Sequence, residues 1–354
     1  MVEQRWRGFH WVKKLVGSGV EKLIGPKKDD CSTHQPFLYP RGYRTRQKLP
    51  TPVLDSFYEQ LTAQDIAEIE RHLTPSDIAL RTQLCGNADA QDPGIKYVNL
   101  HLGVYYQVQA VLEKTGLSPV SPPEDVHSMG RGSLSAGGTT YYADLVMGAL
   151  KTTGAVLPSY ANVLDFGSSS GRVLRVLRSA YPNWNCYGCD PNADAIAWAS
   201  RNLKGSQFSV SPLKPPLSYD AEMFDLVYAI SIWSHFNEMA AISWFEEMRR
   251  IVKPQGYLLF TTHGFQAIEH YRKTKSFSED VLQKVLYSLY ERSCFFIDTF
   301  GEKGDWGVVD PGWGHAFFSP EWWLDQLCPQ WQICLFIPGG VEQSQDLILL
   351  KRVL

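Results

Sequence analysis

The stretch Val163-Leu164-Asp165-Phe166-Gly167-Ser168-Ser169-Ser170-Gly171 sets an apolar run, an acid and a glycine-serine turn side by side, ahead of a helix-like segment. Two chemistries fit. As G-x-S-x-G the turn is a hydrolase elbow with Ser169 as nucleophile. As a small-residue bend between strand and helix it is a cradle whose main-chain N–H groups hold an anionic cofactor. The cradle uses more residues. Asp190 closes the next apolar run about 20 residues on, where a carboxylate accepts the hydroxyls of a ribose. A hydrolase gives Asp190 no task. An elbow also follows several strands, whereas Val163–Phe166 reads as the first, and the upstream pair Gly137-Gly138 precedes a helix instead of following a strand. An Asp and a His do come later, so chain order leaves the triad open. A nicotinamide dinucleotide fits less well, because the turn lacks the central and final glycines of G-x-G-x-x-G.

The elements that must position these residues alternate. Strands are expected at Val163–Phe166, Asn185–Cys189, Gln207–Ser211, Phe224–Ala229 and Tyr257–Thr262, with helices at Arg172–Ala180, Ala193–Asn202 and Ala240–Ile251. That order builds a parallel sheet covered on both faces, with ligands at the carboxyl ends of its strands. Trp331–Ile337 and Asp346–Lys351 read as an antiparallel edge pair joined through Gly339-Gly340. Upstream, helices are expected over Ser56–Leu73, capped at Thr62 to Asp65, over Tyr97–Lys114 ending at Gly116, and over roughly Tyr141–Leu150. Pro119–Gly138 is rich in Pro, Gly and Ser and reads as a boundary. The expected segments are a basic arm and linker (1–52), a helical region (53–140) and an α/β domain (141–354) with an insertion at 263–330.

Four motifs in order carry a resemblance: Leu164-Asp165-Phe166-Gly167 through Gly171, Gly188-Cys189-Asp190, Phe224-Asp225-Leu226-Val227-Tyr228-Ala229, and Met248 through Gly256. They resemble class I S-adenosylmethionine-dependent methyltransferases, and bacterial members of the small-molecule type are similar again at Asp305-Trp306-Gly307. The resemblance implies a doubly wound, Rossmann-like, mostly parallel seven-stranded sheet with an antiparallel edge hairpin. It implies S-adenosyl-L-methionine as cofactor and a small-molecule acceptor, a natural product or a saccharide, methylated on O or N. By it, Asp165, Gly167, Ser169 and Gly171 frame the amino-acid end of the cofactor and Asp190 holds the ribose. Pro191, Ser211 and Leu213 flank the adenine, and Ala229, Ile230 and Ser231 pass beneath the methionine chain. The family has glycine where this chain has Ser169; a small side chain is tolerated there where the local φ is negative. That substitution also motivates a second reading, a fold that binds or scaffolds without turnover.

A hydroxyl acceptor benefits from a base, and histidine suits neutral pH. His235 after the fourth strand and His263 at the end of the fifth are the catalytic candidates, with His315 a third candidate grouped with the substrate wall. Trp233, beside a sulfonium, and the insertion's Trp306 and Trp313 are the other substrate-wall candidates. Each has an ordinary packing role as its alternative.

Composition sets the outer bounds. The chain has 354 residues, 44% apolar and 20% charged, with a net charge of −3. That balance gives no global reason to expect nucleic acid, and no apolar run is long enough to span a bilayer. A cytoplasmic protein is expected. Seven irregularly spread cysteines argue against a disulfide framework. Cys186 and Cys189 read as buried strand residues, with no metal site expected. Residues 1–30 are basic with apolar residues near helical spacing; a packed or frayed arm is weighed there against a helix lying on a membrane. Oligomeric state is not encoded in any of these patterns.

Overall fold

The computed structural model describes residues 49–353. The basic arm and most of the linker expected before Pro52 lie outside the described residues.

Strands β1 (Asn162–Phe166), β2 (Asn185–Asp190), β3 (Ser206–Val210), β4 (Phe224–Ala229), β5 (Val252–Thr262), β8 (Trp331–Val341) and β9 (Gln345–Arg352) form one seven-stranded sheet, ordered β3-β2-β1-β4-β5-β9-β8. β1 pairs in parallel with both β2 and β4, and β2 pairs in parallel with β3. β9 runs antiparallel to β5 and to β8. This is the fold class expected from the strand–helix alternation. β6 (Cys294–Ile297) and β7 (His315–Phe318) make a separate antiparallel pair inside the insertion.

The chain packs as two compact units, residues 49–211 with 224–228, and residues 212–223 with 229–353. In the first, the helical region is finer than its periodicity suggested. Ser56–Leu73 is split into α1 (Pro52–Gln60) and α2 (Ala63–His72), because Thr62 caps α2 through a reciprocal bond set with Asp65. α3 (Pro75–Cys85) lies in the expected helical region without having been singled out as a helix; the same Thr-to-Asp box, at Thr74 and Asp77, starts it. Tyr97–Lys114 is α4 (Pro93–Tyr105) and α5 (Gln109–Thr115), broken where Gln107 turns left-handed at φ 56°. Gly116 closes α5 as expected. α6 (Thr140–Thr153) holds this layer through Asp144, whose carboxylate accepts the first amides of α1, from Val53 at 2.7 Å and Leu54 at 3.3 Å. α7 (Leu174–Ala180) and α8 (Ala193–Asn202) flank β1 to β3.

In the second unit, α9 (Glu238–Ile251) precedes β5, and the insertion holds α10 (Phe265–Thr274), α11 (Glu279–Arg292) and α12 (Pro320–Leu327). α10 was not expected. Gly339-Gly340 lies within β8 at a break in its register, and the hairpin turns instead at Glu342-Gln343, both at positive φ. Trp322 and Trp323 of α12 both point into the core. Cys186 and Cys189 are buried, and burial pushes the Cys186 thiol up to about 12. Among the described residues, no helix is long and apolar enough to cross a membrane.

Candidate functional site

β1 delivers the turn at the carboxyl edge of the sheet, and three of its five residues are left-handed: Gly167 at φ 85°, Ser169 at 47° and Gly171 at 75°. The negative φ expected at Ser169 is therefore corrected. A side chain there is strained, yet this one is held. Its Oγ lies 2.9 Å from His127 Nδ1 and donates to the His127 carbonyl at 3.1 Å. The carbonyl can only accept, so satisfying both contacts makes the ring Nδ1–H the donor to Oγ. His127 was not singled out from sequence. It sits in the Pro119–Gly138 segment, which is laid over the turn. The Arg175 guanidinium on α7 donates to the carbonyls of Ser118 and Val120. Val126 packs on Trp198, Ala199 and Leu203.

The turn's amides are spent on the protein itself. Gly167 and Ser168 both donate to the Cys189 carbonyl, at 2.9 and 3.0 Å, and Gly171 donates to Ser168. The Ser169 amide donates to Asp190 Oδ2 at 2.8 Å. The Gly167, Ser168, Ser169 and Gly171 amides are therefore not free to form the anion cradle expected from the motif. Gly171 and Gly188 are demanded by packing: a Cβ on either would run into the Phe208 ring.

Asp190 is the group the turn does position. Its side chain faces inward, and the residue is 7% exposed. Oδ2 takes the Ser169 amide and Oδ1 takes the Asn192 amide at 2.8 Å. These two bonds fix the orientation of the carboxylate. A fixed, acceptor-only group at the carboxyl end of β2 suits a vicinal diol. The Asp190 carbonyl takes the Ser211 amide, and Pro191 beside it is exposed. Asp165 lies deeper than expected. It is buried beside the Tyr228 hydroxyl, and burial pushes its carboxyl up to about 7. It lies beneath the turn.

The serine–histidine contact raises the hydrolase reading again, and the geometry dismisses it. Ser169 is 4% exposed, and its proton is given to the His127 carbonyl instead of to a base.

In the second unit, three histidines converge. β7 is stitched to the chain after β4 and after β5: Gly314 N–H donates to His235 O, Ala316 to Ser234 O and Phe318 to His263 O. This brings the His235 ring to 5.6 Å from His315 and 6.4 Å from His263, centroid to centroid, while His263 and His315 stack at 5.9 Å. Trp313 stacks on His235 at 4.6 Å, with its indole N–H on Asp305 at 3.1 Å. Backbone carbonyls set two tautomers. His235 Nδ1 faces Gly314 O at 2.6 Å and His263 Nδ1 faces Ala316 O at 3.1 Å, so both carry the proton on Nδ1. His263 Nε2 then accepts from the Tyr271 hydroxyl at 3.0 Å. His263 is thereby used on both sides and cannot itself take a proton from an acceptor. His235 Nε2 keeps its lone pair. His315 Nδ1 meets Thr299 Oγ1 at 3.0 Å. Burial holds all three rings below the ordinary imidazole range, His315 at about 3, with the neighbouring imidazoles adding to it for His263 and His315. Among the described residues, no group of three or more His, Cys, Asp or Glu is arranged to hold a metal ion.

The remaining candidates separate. Trp233 is 0% exposed, stacked on Phe245 and tilted against Phe260; it is core and is withdrawn from the substrate wall. Trp306 is 42% exposed at φ 49°. Leu213 is 40% exposed, whereas Ala229 is buried. Ile230 is half-buried. Ser231, at φ 61°, spends its amide on Thr261 Oγ1, and its hydroxyl accepts from Gln345 Nε2 at 2.8 Å.

Residues 139–298 match a family model described as a methyltransferase domain. No curated protein matches. Among solved structures, a methyltransferase from Methanosarcina mazei is similar at 18% identity and TM-score 0.40, over 56% of this chain and 95% of that one. One from Mesorhizobium loti is similar at 16% and 0.37, over 59% and 100%. PKMT2 from Rickettsia typhi, in complex with AdoHcy, is similar at 13% and 0.38, over 58% and 52%.

Proposed function

We propose that this chain is an S-adenosylmethionine-dependent methyltransferase, a reading supported by the match of residues 139–298 to a methyltransferase-domain model, and that it methylates a hydroxyl or amine of a small molecule, a natural product or a saccharide. Bound S-adenosylmethionine supplies an electrophilic methyl group on a sulfonium. The observation that carries the reading is Asp190, held by the Ser169 and Asn192 amides at the carboxyl end of β2. Its carboxylate accepts the ribose hydroxyls, with Pro191 and Ser211 beside it as adenine contacts.

Because the methyl group arrives already activated, the chain's task is to orient the acceptor and remove its proton. His235 is the base. Its lone pair is on Nε2 because Gly314 O claims Nδ1–H, and a ring kept neutral by burial is in the form that accepts a proton. His263, with Tyr271 and the Ala316 carbonyl, is a positioning residue. Trp313, His315 and Trp306 present flat faces that suit an aromatic or sugar-like acceptor.

Calorimetry with S-adenosylmethionine tests the reading. Wild-type protein binds, and Asp190→Ala loses at least about 10-fold in affinity, the worth of hydrogen bonds to a charged acceptor. A wild-type protein that gives no heat and no thermal shift is a scaffold, the reading that the spent turn amides favour, and the cofactor assignment then falls.

A further inference from the structure

The turn leaves an electrostatic question. An amino-acid-bearing cofactor carries a carboxylate, and four of the bend's amides already have partners. Asp165 and Asp190 lie within each other's field, so the nearby acids disfavour an anion. Something else must supply positive charge.

Arg172 follows the turn directly and is half-buried. Its guanidinium lies 4.5 Å over the ring of Tyr142 on α6. Its stem lies next to Gly130, where an added Cβ would stand 3.5 Å from Arg172 Cδ. Its charge is felt at Asp165. Among the described residues it forms no ion pair and its side chain makes no hydrogen bond; the contact with Tyr142 is a ring face. The other arginine of this region, Arg175, differs in each respect. It is 9% exposed and spends its donors on the carbonyls of Ser118 and Val120. A partly desolvated guanidinium with its donors unclaimed, parked on an aromatic shelf, is prepared for a planar bidentate anion.

We propose that Arg172, and not the main-chain amides of the turn, binds the carboxylate of the cofactor's amino-acid moiety. Tyr142 holds the guanidinium in place by its ring face, while Asp190 takes the nucleoside end. Two side chains thus divide the two ends of one ligand. Arg172 is a binding residue of the site, and the assignment rests on the methyltransferase reading.

Two probes separate the ends. S-adenosylhomocysteine carries nucleoside and amino acid; 5′-methylthioadenosine carries the nucleoside alone. Calorimetry on the full chain gives tighter binding of the first to wild type. Arg172→Gln weakens S-adenosylhomocysteine about 10- to 100-fold, the range for hydrogen bonds between charged groups, and leaves methylthioadenosine within about 2-fold. Arg172→Lys falls between, since a point charge cannot make the bidentate pair. Unchanged S-adenosylhomocysteine affinity in Arg172→Gln overturns the proposal. So does an equal loss of both probes, which marks a structural role, or equal affinity of wild type for both. A wild-type protein that binds neither probe removes the cofactor reading itself, a result distinct from these.

Discussion

Replacing Ser169 opposes two effects that the structure allows to be weighed separately. The hydroxyl makes two hydrogen bonds to His127, at 2.9 and 3.1 Å, together worth about 1–3 kcal/mol at a net of about 0.5–1.5 each. Against this, a side chain at φ 47° costs about 1–2 kcal/mol that glycine does not pay. Ser169→Ala keeps the strain and loses the bonds, so it is expected to be less stable than wild type by about 1–3 kcal/mol. Ser169→Gly loses the same bonds but relieves the strain, less a few tenths to about 1 kcal/mol for the freer unfolded chain. It should therefore be more stable than the alanine variant by about 1 kcal/mol. Urea unfolding of the three proteins reads these differences, provided the slope with urea is unchanged. In His127→Ala the alanine and glycine effects should shrink, because the ring partner is already gone. An alanine variant as stable as wild type would refute the latch, and a glycine variant less stable than alanine would refute the strain.

Two further outcomes follow from the histidine cluster. His235→Gln is expected to lower kcat by about 100-fold or more, the range for a positioned base, with cofactor affinity unchanged. Tyr271→Phe, which removes only the hydroxyl on His263 Nε2, costs far less; equal losses in the two would unseat His235 as the base. The second outcome concerns pH. His315 is held at about 3, below an unfolded value near 6.5. The unfolded chain binds the extra proton first, so the stability from this ring is full above about 6.5 and is lost as pH falls towards 3. Asp165 and Asp346, each pushed up to about 7 by burial, tilt the whole-protein curve the other way, so a difference must be measured. The stability gap between wild type and His315→Gln should shrink as pH falls below 6.5, by at most about 1.4 kcal/mol per pH unit. A gap that is flat with pH contradicts the neutral, buried ring.

The strands of the large sheet could be read from local pattern, and for a physical reason. A strand buried on both faces must be a short apolar run, and β4 shows this with six buried residues in a row. Helix caps were legible on the same terms, since Thr62 with Asp65 is a contact between neighbours in sequence. Where a reading stretched over a break, as at Gln107, the missing information was one left-handed residue that periodicity does not register.

For the site, the position of Asp190 at the end of β2 followed from sequence, because strand length and turn chemistry fix it. What the turn's donors do did not. Gly167 and Ser168 give their amides to Cys189, Ser169 gives its hydroxyl to His127, and Asp190 claims an amide from across the bend. The three histidines, spread from 235 to 315, meet because β7 is laid along two remote segments. Sequence by itself determined the strands of the large sheet and which residues stand at their ends. Only the tertiary structure decided which donors remain available, because a hydrogen bond between distant residues is settled by packing and leaves no spacing in the chain to read.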